Sequence, residues 1–219
     1  MENKKTSLIT AIILVLVSII YTVLVCVVDK APIGPEGTSV GFSAINGAFA
    51  DAVGLNLLWD KITDVMMIIA ILVAVSFVAL GAYQLIKRKS LLKVDRAILA
   101  MAGVYVVIVV LYVLFDKVPL NYRPVILPDE TAPEASFPSS HTLVICTILC
   151  TAIVAWDRIF YNKKLLCNVL RICAAVVMLV SVAGRLIAGV HWLTDIIAGV
   201  IFSATITAIY IAALDRIDS

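Results

Sequence analysis

The sequence predicts an all-α membrane protein with six transmembrane helices, and three observations carry this prediction. Of the 219 residues, 63% are hydrophobic and 15% are charged, whereas soluble domains are nearer ~45–50% apolar and ~25% charged. Six apolar runs follow one another, each close to the ~20 residues that a spanning helix needs. Basic residues concentrate in alternate loops between these runs. Since the runs fill the chain, we expect one membrane domain over residues 1–219.

The apolar runs define the predicted helices in chain order. They lie at residues 7–28, 65–86, 97–115, 142–156, 170–190 and 192–214. The fourth run is short and could begin in the preceding loop or continue to Phe160. The fifth and sixth runs abut, so the chain must turn near Gly189. The first run follows Lys4 and Lys5 but exceeds the apolar core of about 7–15 residues in a signal peptide, so we read it as a retained span.

The loop between the first two runs is long, reaching from Asp29 to about Asp64. Apolar residues recur in it at three- and four-residue spacing, and these are Phe42, Ile45, Phe49 and Val53. This spacing predicts a helix that lies in the outer membrane interface. A loop collapsed on the helix bundle fits the pattern about equally well.

The distribution of charge predicts the orientation in the membrane. Most basic residues lie at the N-terminus and in the second and fourth loops, namely Lys4, Lys5, Lys87, Arg88, Lys89, Lys93, Arg96, Arg158, Lys163, Lys164 and Arg171. The first loop carries only Lys30 and Lys61, and the third only Lys117 and Arg123. The positive-inside rule therefore places both termini in the cytoplasm and the first and third loops outside. The formal net charge of +2 excludes a strongly basic nucleic-acid-binding protein.

The cysteines do not predict a disulfide framework, because their number is odd. They are Cys26, Cys146, Cys150, Cys167 and Cys173. Cys146 and Cys150 share a helix face and could suggest a metal pair, but no further thiol or histidine stands at ligand spacing. We expect these cysteines to act as small apolar packing residues.

Three polar clusters interrupt the apolar pattern on the predicted outer side, and one of them contains Arg185, His191 and Asp195. On one helix, His191 and Asp195 would share a face, so the carboxylate could fix the imidazole tautomer and prepare a nucleophile. Arg185 interrupts an apolar run, and a charge within a membrane segment suggests a functional site. The alternative is an arginine that reaches the lipid headgroups beside a self-satisfied His–Asp pair.

A second cluster, Pro138-Ser139-Ser140-His141, opens the fourth run. Proline suits a helix start, and either serine can cap the helix, leaving N–H groups and hydroxyls near an anion. An ordinary helix cap would explain the serines alone. His141 is harder to explain in this way, because a histidine facing lipid is unfavourable. Both histidines of the chain lie in these two clusters.

The third cluster is Lys117 with Arg123-Pro124. The planar arginine fork suits phosphate and lysine supplies a point charge, although alone these two could bind lipid headgroups. The three clusters together provide cations, hydroxyls, two histidines and a carboxylate. Phosphoryl transfer without a metal requires such a set, because cations neutralise the phosphate oxygens, one histidine attacks phosphorus and the other protonates the leaving oxygen.

These clusters resemble the three motifs of the membrane-bound type 2 phosphatidic acid phosphatases, which share a superfamily with the vanadium haloperoxidases. The family motifs read K-x6-RP, PSGH and SR-x5-H-x3-D. Arg185-x5-His191-x3-Asp195 fits the third motif, with Gly184 in place of its serine.

The other two motifs match with one departure each. Residues 138–141 fit the second motif, with Ser140 at the glycine position, where its backbone N–H is still available. Lys117-x5-Arg123-Pro124 is one residue shorter than the first motif. If Pro119 ends the helix before the arginine, the loop can absorb this difference.

The resemblance implies a role for each matched residue. His191 is the nucleophile that forms a phosphohistidine, Asp195 orients it, and His141 is the general acid. Phosphate is held by Arg123, Arg185, Ser139, Ser140 and Lys117. The resemblance thus implies a six-span phosphatase of lipid phosphates or pyrophosphates that uses no metal or other cofactor and acts at the outer face of the cytoplasmic membrane. Family substrates include phosphatidic acid, phosphatidylglycerol phosphate and undecaprenyl pyrophosphate.

The alternative from another class is a non-catalytic membrane protein that binds or carries anionic phospholipids. Such a protein would need the arginine and lysine residues but not the pair of His191 and Asp195, so the pair disfavours it. A purely structural helix bundle would leave the clustered outer charges unexplained. The predicted partner is therefore a membrane lipid phosphate.

Overall fold

A computed structural model describes residues 2–128 and 130–217, and it confirms the all-helical fold. Within these residues there are seven α-helices: α1 (Glu2–Val27), α2 (Ser43–Val53), α3 (Leu57–Arg88), α4 (Arg96–Lys117), α5 (Ser140–Ile159), α6 (Lys164–Ala188) and α7 (Leu193–Ile217). All except α2 are long and apolar enough to cross a membrane. The prediction of six transmembrane helices is therefore confirmed.

The second predicted run was placed too late, because α3 begins at Leu57 and not at residue 65. Asn56 caps this helix, and its side-chain oxygen accepts a hydrogen bond from the Trp59 N–H at 3.3 Å. Charged residues ended the apolar run in the sequence, but they did not end the helix. Asp60 and Asp64 therefore lie on α3 rather than in the preceding loop.

The fourth predicted run extends in both directions as α5, which packs with α7 at the centre of the bundle. These two helices are the most buried of the six spans. Their contacts include a core formed with α3 and α4, in which Met101, Leu149 and Tyr210 are almost fully buried. The remaining spans expose many large apolar side chains, as expected for surfaces that face lipid.

A helix forms in the first long loop, as the apolar spacing predicted, but its polar side faces the protein. Asn46 is fully buried and its Nδ2 donates to the Gly41 carbonyl at 2.8 Å and to Thr194 Oγ1 at 2.9 Å. Its Oδ1 accepts from the Thr194 N–H at 3.2 Å. Ile45 points outward, with 56% of its surface exposed. This helix, α2, therefore fixes the start of α7.

Arginine–carboxylate pairs lie at the end of the bundle that carries the basic loops. Arg88 lies 3.1 Å from Asp95, and Arg158 lies 3.2 Å from Asp215. The three predicted polar clusters are at the opposite end. The five cysteines are free thiols; Cys146 and Cys167 are buried, in keeping with a packing role, whereas Cys173 is exposed on α6.

Candidate active site

The three polar clusters converge at one end of the bundle, where hydrogen bonds join them directly. The Ser139 N–H at the start of α5 donates to the Asp195 carbonyl at 2.9 Å. The Trp192 indole N–H donates to the Tyr122 carbonyl at 2.6 Å, which ties the turn between α6 and α7 to the loop after α4. The convergence predicted from the sequence is therefore present.

The turn between α6 and α7 depends on Gly189, which has a φ of +68°. A Cβ atom at this position would also lie 1.8 Å from the Gly54 carbonyl oxygen, so only glycine fits. A hydrogen bond of 2.9 Å from the Asn56 N–H to the Ala188 carbonyl also joins the loop before α3 to the end of α6. The loop before α3 thus sets the position of the residues that follow Gly189.

His191 and Asp195 are neighbours, but they do not share a helix face. His191 lies in the turn before α7, and its Nδ1 is 3.9 Å from Asp195 Oδ2, which is too long for a hydrogen bond. Both side chains are buried. The Asp195 carboxylate instead accepts hydrogen bonds from Asn121 Nδ2 at 2.9 Å and from the Trp192 N–H at 3.3 Å. Asn121 was not part of the predicted site.

The surroundings of His191 favour the neutral imidazole. Burial lowers the pKa of His191 well below its usual value, and the nearby charges of Arg185, Arg123 and His141 lower it further. Both ring nitrogens are buried and have no hydrogen-bond partner among the residues described, and Nε2 is the one that does not face Asp195. A neutral ring with an uncommitted nitrogen has a lone pair available for attack on an electrophile.

Arg185 is fully buried, so it does not reach the lipid headgroups. Its Nη1 donates to Asp60 Oδ1 at 2.5 Å and to Thr63 Oγ1 at 3.0 Å. Its Nε and Nη2 are buried, with no partner in residues 2–128 and 130–217. Because buried donors are rarely left unsatisfied, this edge of the guanidinium is suited to an anionic ligand.

The remaining two cations occupy different depths. Arg123 is only 16% exposed, and its Nε lies 2.9 Å from Glu134 Oε2. Lys117 is the last residue of α4, with a side chain 77% exposed and its Nζ 3.0 Å from Asp116 Oδ2. The helix thus ends before Pro119, and Lys117 lies at the rim of the site rather than inside it.

The start of α5 supplies the serines and the second histidine. Ser139 is fully buried at the N-cap position but makes no capping hydrogen bond through its side chain. Its Oγ accepts instead from Thr142 Oγ1 at 3.2 Å. His141 Nε2 lies 2.9 Å from Asp64 Oδ1, while its Nδ1 is buried without a partner in the described part of the chain.

A cavity of about 530 Å³ lies against this site, on the side of His191 and Arg123. Its polar part includes His191, Ser140 and two cations, Arg123 and Lys117, each paired with a carboxylate that also lines the cavity. Its apolar wall comes from α4 and α5 and includes Tyr112, Phe115, Leu143 and Val144. Tyr112 is 56% exposed on the outer surface of α4. The cavity can therefore accept a molecule with an anionic head and an apolar tail.

Three carboxylate or amide residues of the site were missed in the sequence, namely Asp60, Asp64 and Asn121. The capping residue Asn56, followed by two carboxylates four residues apart, was a signal for the two aspartates. Asn121 gave no comparable signal. Across the described ranges, no group of three or more histidine, cysteine, aspartate or glutamate side chains is arranged to hold a metal ion.

Comparisons with known proteins agree with this architecture. The sequence matches the PAP2 superfamily over residues 96–218. The fold is similar to the crystal structure of the first transmembrane PAP2 type phosphatidylglycerolphosphate phosphatase from Bacillus subtilis, with a TM-score of 0.65 and 20% sequence identity over 95% of this chain and 97% of that chain. At this identity the likeness shows a shared fold. No curated protein matches the sequence.

Proposed function

Because this chain belongs to the PAP2 superfamily and has the fold of a membrane phosphatase, we propose that it hydrolyses the phosphate or pyrophosphate group of a membrane lipid without a metal cofactor. The observation that carries this proposal is the buried, uncommitted Nε2 of His191 beside Asp195. Two arginines lie close enough to influence the pKa of His191. A site that only bound phosphate would need the arginines but not this nucleophile.

In the first step, His191 Nε2 attacks phosphorus and the bond from phosphorus to the leaving oxygen breaks. Asp195 stabilises the positive charge that develops on the imidazole. The free edge of Arg185, together with Arg123 and Ser139, binds the oxygens that gain charge in the transition state. His141 gives its proton to the leaving oxygen, so the lipid product departs as a neutral hydroxyl or, from a pyrophosphate, as a phosphate.

In the second step, water attacks the phosphohistidine and releases inorganic phosphate. His141, which has lost its proton, takes one from this water. The bond between nitrogen and phosphorus breaks, and His191 returns to its neutral form. The backbone N–H of Ser140 serves the phosphate as the glycine of the family motif would, and Lys117 adds a weaker interaction from the rim.

The cavity supports a lipid substrate, because its apolar wall reaches the outer surface of α4 beside the phosphate site. The phosphatidylglycerolphosphate named for the similar structure is one candidate, and phosphatidic acid and undecaprenyl pyrophosphate are two others. The basic loops lie at the opposite end of the bundle, which favours a site on the outer face of the cytoplasmic membrane with both termini inside.

The test is to trap the covalent intermediate. Purified protein in detergent with a chelator is given each of the three candidate lipids labelled at the terminal phosphate, and turnover is stopped by denaturation. The wild type should retain label that is stable in base and released in acid, as expected of a phosphohistidine. His191→Ala should retain none and release no phosphate. Binding of lipid without phosphate release by the wild type would favour the carrier alternative and refute the proposal.

A further inference from the structure

Helix α3 contributes two carboxylates to the site although it lies outside the region matched to the PAP2 superfamily. Asp60 and Asp64 are four residues apart and therefore lie on one face of the helix. Each contacts a cationic or titratable group on a different helix. Asp60 binds Arg185 on α6, and Asp64 binds His141 on α5.

We propose that Asp64 is a positioning residue for His141, the general acid of the proposed function, on which this inference rests. Asp64 accepts a hydrogen bond from His141 Nε2 and so directs Nδ1 towards the leaving oxygen of the substrate. Its negative charge also stabilises the imidazolium form that donates the proton. Asp64 does not itself touch the substrate.

The geometry leaves one ring nitrogen for proton exchange. Nε2 is 2.9 Å from Asp64 Oδ1, whereas Nδ1 is buried and has no partner in the part of the chain described. In the imidazolium form, the Nε2 proton stays in the hydrogen bond to Asp64. The Nδ1 proton moves to the leaving oxygen as the bond between that oxygen and phosphorus breaks. In the second step, Nδ1 takes a proton from the attacking water.

Both positive and negative groups surround His141, and Asp64 supplies the negative charge in direct contact with it. The guanidinium of Arg185 repels a positive charge on the imidazole, whereas the carboxylates of Asp64 and Asp60 attract it. Asp60 is already paired with Arg185, so Asp64 is the carboxylate that binds His141 directly. Loss of the Asp64 charge would leave the repulsion between Arg185 and a positive His141 imidazole less opposed.

The experiment compares two leaving groups, because a general acid matters only when the leaving oxygen needs a proton. Phosphatidic acid releases a basic alkoxide, whereas p-nitrophenyl phosphate releases a stable aryl oxide. For full-length Asp64→Asn, we expect kcat on phosphatidic acid to fall by about 10-fold or more, with a much smaller loss on p-nitrophenyl phosphate. The basic limb of the pH profile of kcat on phosphatidic acid should move down by about one pH unit.

Two variants calibrate this comparison. Asp51→Asn removes a carboxylate from the exposed surface of α2 and should leave both activities and the pH profile unchanged. His141→Ala should show a leaving-group dependence at least as large as that of Asp64→Asn. If His141→Ala shows none, the proposed role of His141 fails. If His141→Ala shows it but Asp64→Asn loses both activities equally with an unmoved basic limb, the inference about Asp64 is refuted while the proposed function stands.

Asp64→Glu guards against a folding defect in the asparagine variant. It keeps the carboxylate, so it should restore the basic limb of the pH profile to near the wild-type position and recover part of kcat. Equal losses of kcat in the glutamate and asparagine variants, with matching pH profiles, would refute the inference. Thermal unfolding in detergent, measured for each variant, identifies any that lose activity by unfolding.

Discussion

Gly184 packs against Thr63 so closely that no side chain fits between them. A Cβ atom on Gly184 would lie 2.6 Å from Thr63 Cγ2 and 3.1 Å from Trp59 Cε3. Thr63 is held in place because its Oγ1 donates to the Asp60 carbonyl at 2.7 Å and accepts from Arg185 Nη1. The serine of the family motif would therefore separate α3 from α6 beside the phosphate-binding arginine.

Restoring the family serine should harm this protein. We expect Gly184→Ser to reduce the free energy of unfolding by about 1–3 kcal/mol through overpacking, and to lower kcat/KM because the contact between Thr63 and Arg185 is displaced. Thermal unfolding in detergent and lipid phosphatase kinetics measure the two effects. Adding Thr63→Ser, which removes Cγ2 but keeps the hydroxyl, should recover part of both losses. A fully stable and active Gly184→Ser protein would contradict this account of the packing.

The depths of the three cations predict a graded effect on catalysis. Either Arg123→Ala or Arg185→Ala should lower kcat/KM by about 100-fold or more, equivalent to ~2.7 kcal/mol of transition-state stabilisation. Lys117→Ala should cost only about 10-fold, because an exposed ammonium has a weaker effect than a buried guanidinium. Kinetics of the three variants on one lipid phosphate check this order. A lysine loss equal to that of Arg123→Ala would place Lys117 inside the site, and no loss would remove it.

His191 should remain neutral where an ordinary histidine becomes charged. Its folded-state pKa is lowered by burial and by neighbouring positive charge, whereas an unfolded histidine titrates near ~6.5. The free energy of unfolding should therefore fall as the pH drops below that value. Since the chain has only two histidines, NMR of ¹⁵N-histidine-labelled protein can follow each ring, with His141→Ala used for assignment. A midpoint for His191 at or above 6.5 would contradict this prediction.

The orientation in the membrane can be tested with single cysteines in a background that lacks the five native ones. An impermeant maleimide added to intact cells should label a cysteine at position 130 and should not label one at position 90, because the basic loops are expected inside. Labelling of both positions after permeabilisation serves as the control. The reverse pattern would place the active site in the cytoplasm.

The sequence predicted the helices correctly where their apolar runs were unbroken. It placed the start of α3 too late, because charged residues lie within the first turns of that helix. Residues 57–64 contain three charged side chains, Asp60, Lys61 and Asp64, so a hydropathy criterion excluded them from the second span. Asp60 and Asp64 are paired with Arg185 on α6 and His141 on α5, contacts that no local pattern reveals. The same limit explains Asn121, whose bond to Asp195 spans 74 residues.

The candidate site residues could be predicted because their motifs combine rare residue types at fixed spacing. Spacing did not give the correct local geometry, since His191 and Asp195 belong to a turn and a helix rather than to one helical face. It also could not show that Lys117 is exposed while Arg123 is nearly buried. Both properties depend on where α4 and α6 end relative to the rest of the bundle.

The contact between Asp60 and Arg185 makes the second half of the chain depend on the first. The arginine lies within the segment that carries the family motifs, but its counter-charge comes from a helix upstream of that segment. Removing one partner from a buried ion pair typically costs about 3–5 kcal/mol. A chimera that combined residues 96–219 with an unrelated first half would leave Arg185 uncompensated inside the bilayer. Residues 96–219 therefore depend on α3 for this counter-charge, even though only they bear the recognisable motifs.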